Sequence, residues 1–151
     1  MNVTLTSASV FYISLFFLTS NALASTQYFS CSTSKGSVSV ISDSANLVYR
    51  MKNTDGSVFQ YSSPTPKYTG YYYNHYSRFQ TDYLKVGFEK GGFKYELFSN
   101  YEDGKDSRGI TVVNLSNNKE YTYNCINVGA DKLTDLTSKL SCDKNNALGC
   151  N

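Results

Sequence analysis

The chain has 151 residues, is 40% hydrophobic, 17% charged and 15% aromatic, and carries fourteen Lys+Arg against twelve Asp+Glu. Length and balance describe one folded domain and exclude a disordered tail or a coiled coil, while a net charge of +2, spread over scattered lysines, gives no basic stripe for nucleic acid. Fourteen Tyr and nine Phe against two Pro and no Trp favour packed β structure.

In chain order, Met1 to Ala24 holds no charged side chain, an apolar run Val10-Phe11-Tyr12-Ile13-Ser14-Leu15-Phe16-Phe17-Leu18, and a closing Ala22-Leu23-Ala24. This reads as a secretory signal peptide, with residues 25-151 as the mature domain. The run is too short to cross a bilayer as a helix, which needs about 20 residues, and Ser25 rather than Cys follows the expected cleavage point. The predicted location is therefore periplasmic or secreted, with no membrane span.

Strands follow. Phe29 and Cys31 alternate in Tyr28 to Thr33, Val38 and Val40 follow Gly36, Leu47 to Met51 alternates again, and Asn53-Thr54-Asp55-Gly56 turns into Val58 to Tyr61. Pro64 and Pro66 then mark the stretch Ser62 to Gly70 as a surface loop. The clearest hairpin runs from Asp82 to Tyr101, with Leu84, Val86 and Phe88 facing Phe93, Tyr95 and Leu97 across Lys90-Gly91-Gly92, and with Lys85, Lys94 and Glu96 on the opposite side. Glu102 to Gly109 reads as a polar loop, Ile110 to Leu115 and Glu120 to Cys125 as two more strands, and Leu133, Leu136 and Leu140 as one amphipathic helix over Asp131 to Leu140. The expected fold is a small antiparallel barrel or sandwich of seven to eight strands with one short C-terminal helix.

Four cysteines, Cys31, Cys125, Cys142 and Cys150, all follow the leader, as two disulfides in an oxidising compartment require. The short polar loop between Cys142 and Cys150 favours closing that pair locally, which leaves Cys31 with Cys125 as the long-range staple. No Cys-x-x-Cys or neighbouring His suggests zinc, and no motif calls for any other metal or cofactor.

Chemistry would have to run through His75, the one histidine, with Arg78 and a carboxylate such as Asp82 or Glu89. No Gly-x-Ser-x-Gly elbow and no phosphate-cradling glycine loop accompanies it, and Glu89, Glu96, Glu102 and Asp103 all occupy positions that suit solvent rather than a paired-carboxylate cleft. The more informative feature is tyrosine. Tyr71, Tyr72, Tyr73, Tyr76 and Tyr83 crowd one segment around Arg78, and Tyr with Arg supplies the broad rigid anchors of protein interfaces. Tyr72, Tyr76 and Arg78 are the candidate binding residues, joined by Lys144 and Asn145 in the disulfide-closed loop, which is ordered in advance of docking.

Tyr28-Phe29-Ser30-Cys31 at the mature start, followed by a short all-β domain with a second Cys on a strand, resembles the periplasmic and membrane-associated inhibitors of C-type lysozyme from Gram-negative bacteria, over residues 27 to 128. The Ser-Gly-rich motif ending in Tyr by which those inhibitors enter the lysozyme cleft has no counterpart here. Pro66-Lys67-Tyr68-Thr69-Gly70-Tyr71 is the nearest loop. The resemblance therefore implies the class, a periplasmic protein-binding β domain, and transfers no residue. The expected function is an exported, non-enzymatic inhibitor or immunity protein against a cell-wall hydrolase or toxin, with another protein as partner. The alternatives are a small secreted enzyme or toxin using His75 and Arg78, and a surface or adhesive subunit.

Overall fold

The computed structural model describes residues 25–43, 46–64 and 67–151; the expected leader and Pro66 of the surface loop lie outside them. Among the described residues eleven strands are formed: β1 (Thr26–Thr33), β2 (Gly36–Asp43), β3 (Asn46–Asn53), β4 (Val58–Ser62), β5 (Tyr71–Arg78), β6 (Thr81–Lys90), β7 (Phe93–Glu102), β8 (Lys105–Asn114), β9 (Lys119–Asn124), β10 (Asn127–Asp131) and β11 (Ser141–Cys142). They divide into two sheets, ordered β10-β1-β2-β3-β4 and β11-β5-β6-β7-β8-β9. Every pairing is antiparallel except β11 on β5.

The fold is thus mainly β, as expected, but no closed barrel forms among the described residues. Each sheet keeps two edges, and the inner faces pack on each other as in a sandwich. The strand count also exceeds the expectation, because β5, β10 and β11 are added and β8 begins at Lys105 instead of Ile110. The stretch expected as a polar loop therefore shrinks to the turn Asp103-Gly104, where both residues have positive φ (47° and 82°), the backbone that a tight hairpin demands. The run of exposed polar residues from Glu102 to Ser107 concealed the strands, since it shows no alternation of apolar and polar side chains.

The expected helix is not formed. Asp131 ends β10, paired with Phe29, and only a 3-10 turn spans Leu133–Leu136. Thr137 binds the Thr134 carbonyl through both its amide and its Oγ1, so local side-chain bonds compete with a regular helix. The three leucines are nonetheless buried, as their spacing implied, and seal the core against β1 and β6.

The core is aromatic where the sheets meet. Tyr61 of β4 stacks on Phe88 of β6 (4.2 Å, 8°), Phe88 on Tyr95 of β7 (5.0 Å, 10°), and Tyr95 on Phe59 of β4 (5.0 Å, 20°). Four rings thus interleave the two sheets, each pair adding about 0.5–1.5 kcal/mol beyond its buried area. The Tyr71 hydroxyl fastens the same seam, accepting from the Tyr49 backbone N–H (3.0 Å) and donating to the Tyr61 carbonyl (2.9 Å). Both expected disulfides are present, Cys31–Cys125 and Cys142–Cys150. The first ties β1 to the chain just beyond β9; the second closes a loop that folds back on β5.

Candidate functional site

The even-numbered residues of β5 point away from the core, which places Tyr72, Asn74, Tyr76 and Arg78 on one outer face, as strand alternation requires. Cross-strand neighbours extend this face through Gly87, Lys85 and Tyr83 of β6 and Glu96, Phe98 and Asn100 of β7. The candidate residues are therefore on one surface, yet they differ in what they present.

Tyr72 lies flat on the sheet. A Cβ added at Gly87 would meet the Tyr72 hydroxyl at 2.5 Å, and one added at Gly109 would meet the Phe98 ring at 2.6 Å. Two rings thus roof two strand glycines, an arrangement that repairs the missing side chains of a sheet. Between them Glu96 is buried (4% exposed), although its outward position in the alternation suits solvent; Lys85 (3.2 Å) and Lys94 (2.9 Å) neutralise it. Lys94 also sits over the Tyr72 ring, 5.1 Å from its centroid. Burial, then the nearby Glu96, Glu89 and Asp143 carboxylates, raise the Tyr72 phenol well above its ordinary pKa. Tyr72 is consequently part of the sheet's own cover more than a free anchor.

Asn74 is wholly buried, because its side-chain amide donates to the Asp143 (2.7 Å) and Gly149 (3.2 Å) carbonyls of the Cys142–Cys150 loop. Backbone bonds Asp143 N to Tyr73 O, His75 N to Gly149 O and Asn151 N to His75 O complete the docking. The disulfide loop thereby covers the edge that β5 would otherwise leave open. Lys144 and Asn145 remain exposed at its turn, and Asn145 with Asp143, Glu89, Gly70, Tyr61 and Tyr72 lines a shallow groove of about 640 Å³.

The far end of the hairpin is different. Tyr76 and Tyr83 stack across β5 and β6 (6.3 Å, 23°), and the Arg78 guanidinium lies 5.8 Å above the Tyr76 ring. Glu102 raises the Tyr83 phenol first through a hydrogen bond, reinforced by slight burial and by its charge, while Arg78 opposes the shift. Beyond them the two residues Phe79-Gln80 connect the strands, with Gln80 at φ 59° and its carbonyl accepting from Asp103 N (3.0 Å) of the neighbouring turn. Phe79 projects from this braced tip 87% exposed. Sequence reasoning passed over Phe79, since β5 was not recognised as a strand; the facing alternation of Tyr71 and Tyr73 with Val86 and Phe88 around a two-residue connection was the available signal.

His75 faces the opposite way from Arg78, so the His75–Arg78 pair of the alternative enzyme reading is not assembled. Its Nε2 stands 3.2 Å from both carboxylate oxygens of Asp82, and Glu89 is far along β6. Among the described residues no hydroxyl or thiol is hydrogen-bonded to the imidazole, and no group of three or more His, Cys, Asp or Glu is arranged to hold a metal ion. No described helix is long and apolar enough to cross a membrane. Compared with known proteins, the chain matches no family model, no curated protein and no solved structure.

Proposed function

We propose that this is an exported, non-catalytic β-sandwich that binds another protein through the β5–β6 hairpin tip, as an inhibitor or immunity protein against a cell-wall hydrolase or toxin. The observation that carries the reading is Phe79, an almost fully exposed aromatic on a two-residue turn braced by its neighbour, beside stacked Tyr76 and Tyr83 and the Arg78 guanidinium. A rigid apolar anchor flanked by Arg and Tyr is the composition of an interface hot spot, and its low flexibility reduces the entropy lost on docking. Two disulfides and a leader-like N-terminal sequence support an oxidising destination for the chain. The likeness to lysozyme inhibitors supplies the first partner class to assay. Lys144 and Asn145 lie beside Tyr72 at the opposite end of β5 and are outside this contact surface.

The test is titration of C-type lysozyme and of other peptidoglycan hydrolases with the purified protein, following clearance of a cell-wall suspension. Saturable inhibition that weakens tenfold or more in Phe79→Ala and Arg78→Ala is the expected result. A protein that neither binds nor inhibits any hydrolase, or whose inhibition is indifferent to both substitutions, refutes the reading.

A further inference from the structure

The two sheets do not close on each other everywhere. At the end where the β1–β2 and β3–β4 turns lie, a cleft of about 350 Å³ opens between them, walled by Tyr49, Phe59, Tyr95, Ile110, Val112 and Tyr123. Contributions come from both sheets, so the cleft is a notch open to solvent at this end of the sandwich. Its volume lies at the lower end of the ~300–1,000 Å³ typical of small-molecule sites, which suits a body of medium length or one to two rings. The stacked pair Phe59–Tyr95 (5.0 Å, 20°) and the edge-on contact Tyr49–Phe59 (6.0 Å, 63°) hold the wall in a fixed shape. Tyr121, 40% exposed, continues the apolar face outward from Val112 and Tyr123 along β9.

Polar groups sit at one place. Lys35 and Asn53 border the mouth, and the turns that bear them are tied together by Thr54 N donating to the Lys35 carbonyl (3.0 Å). Asn53 is committed, its side-chain amide donating to Ser57 Oγ (2.8 Å). Lys35 is not: like most lysines of the chain it forms no ion pair with any described residue, and it is the one cationic side chain among the residues lining the cleft. Within the cleft the Tyr49 and Tyr95 hydroxyls take no hydrogen bond from a described residue, although burial raises both phenols above their ordinary pKa. An apolar slot with a single uncommitted cation at its entrance is complementary to a molecule with an apolar body and one negative end.

We propose that the inter-sheet cleft binds a small apolar carboxylic acid, its body between Phe59, Tyr95, Ile110 and Val112 and its carboxylate at Lys35. The site is separate from the hairpin tip and stands or falls independently of it. Because the protein has no Trp, its tyrosine emission reports occupancy directly, with Tyr49, Tyr95 and Tyr123 all in the wall.

The test titrates the disulfide-intact protein with decanoate and with naphthoate, each beside its neutral amide, by tyrosine fluorescence and calorimetry. Saturable binding of at least one acid, preferred about tenfold over its amide and losing that preference in Lys35→Gln, is the expected result. Val112→Phe and Met51→Phe, both at half-buried wall positions, should fill the cleft and abolish binding in proteins that still unfold cooperatively. Absence of saturable binding by both acids up to about 1 mM overturns the proposal. So does binding that survives both filling substitutions, or that ignores the loss of Lys35.

Discussion

Arg108 of β8 donates from Nε to Asp131 Oδ2 of β10 at 2.8 Å, joining one sheet to the other at the end away from the cleft. Ser99 Oγ adds a second donor to the same oxygen at 2.7 Å, and Asp106 holds the other side of the guanidinium at 3.0 Å. The hydrogen bond to Asp131 is the first cause of the raised Arg108 pKa, so the cation is permanent. Removing the carboxylate leaves a half-buried guanidinium and a hydroxyl without their shared acceptor. Asp131→Ala should lower stability by about 1.5–3 kcal/mol, and Ser99→Ala by about 1 kcal/mol, in chemical denaturation. Equal stability of all three proteins would show that the sheets are held without this bridge.

The two disulfides should differ in what they contribute. Cys31–Cys125 spans a sequence separation of 94 and Cys142–Cys150 one of 8, which in the chain-entropy description corresponds to about 5 and about 2.5 kcal/mol. Replacing the first pair by Ala should therefore lower the denaturation midpoint much more than replacing the second. The second replacement should instead raise hydrogen exchange at the His75 amide, which donates to the Gly149 carbonyl of the docked loop.

Alkaline pH should unfold the protein through its buried phenols. Tyr49 and Tyr71 are both raised above the ordinary tyrosine value of about 10, chiefly by burial. Below that pH the phenols are neutral in both states and their contribution is complete. Above it the unfolded chain ionises while the folded one does not, so stability should fall by about 2.7 kcal/mol per pH unit for the pair, until the folded pKa values are passed. The raised Tyr28 and Tyr72 phenols steepen the fall further, and Tyr71→Phe should make the slope measured from denaturation midpoints shallower by one phenol's share, about 1.4 kcal/mol per pH unit. That variant should also be less stable by about 1–3 kcal/mol at neutral pH, since the Tyr49 N–H and Tyr61 carbonyl lose their shared partner.

Phe79→Ala should leave thermal stability within about 0.5 kcal/mol of the parent, because the ring is exposed and packs little. The same substitution is expected to remove most of the hydrolase inhibition proposed above. Tyr72→Ala should behave in the opposite way, destabilising the fold by uncovering Gly87 and the buried Glu96. A scan in which Tyr72 and Phe79 exchange these roles would place the contact surface on the flat of the sheet instead of at its tip.

Local pattern was enough wherever a residue's burial followed from strict alternation. The 82–101 hairpin is such a case: Leu84, Val86 and Phe88 share the inner face with Tyr95 and Leu97, Val86 lying opposite Leu97 and Phe88 opposite Tyr95, and the shortness of the Cys142–Cys150 loop foretold its bridge. Patterns failed where amphipathic tyrosine occupies both faces of one strand. In β5, Tyr71 is core and Tyr72 roof, and nothing in Tyr71-Tyr72-Tyr73 distinguishes them without the sheet on which each ring lies. The 133–140 leucines show the complementary error, for a spacing of three and four fits burial against β1 and β6 without a regular helix.

By itself, the amino-acid sequence determined a disulfide-stapled, β-rich domain with its apolar residues in alternate positions, because those features depend on side-chain periodicity and on cysteine spacing alone. Only the tertiary structure decided that Asp131 meets Arg108, that Glu96 is buried on an outer face, that Phe79 stands free, and that a cleft remains beside Lys35. Each depends on how two twisted sheets cross, a relation between residues dozens of positions apart that no local window contains.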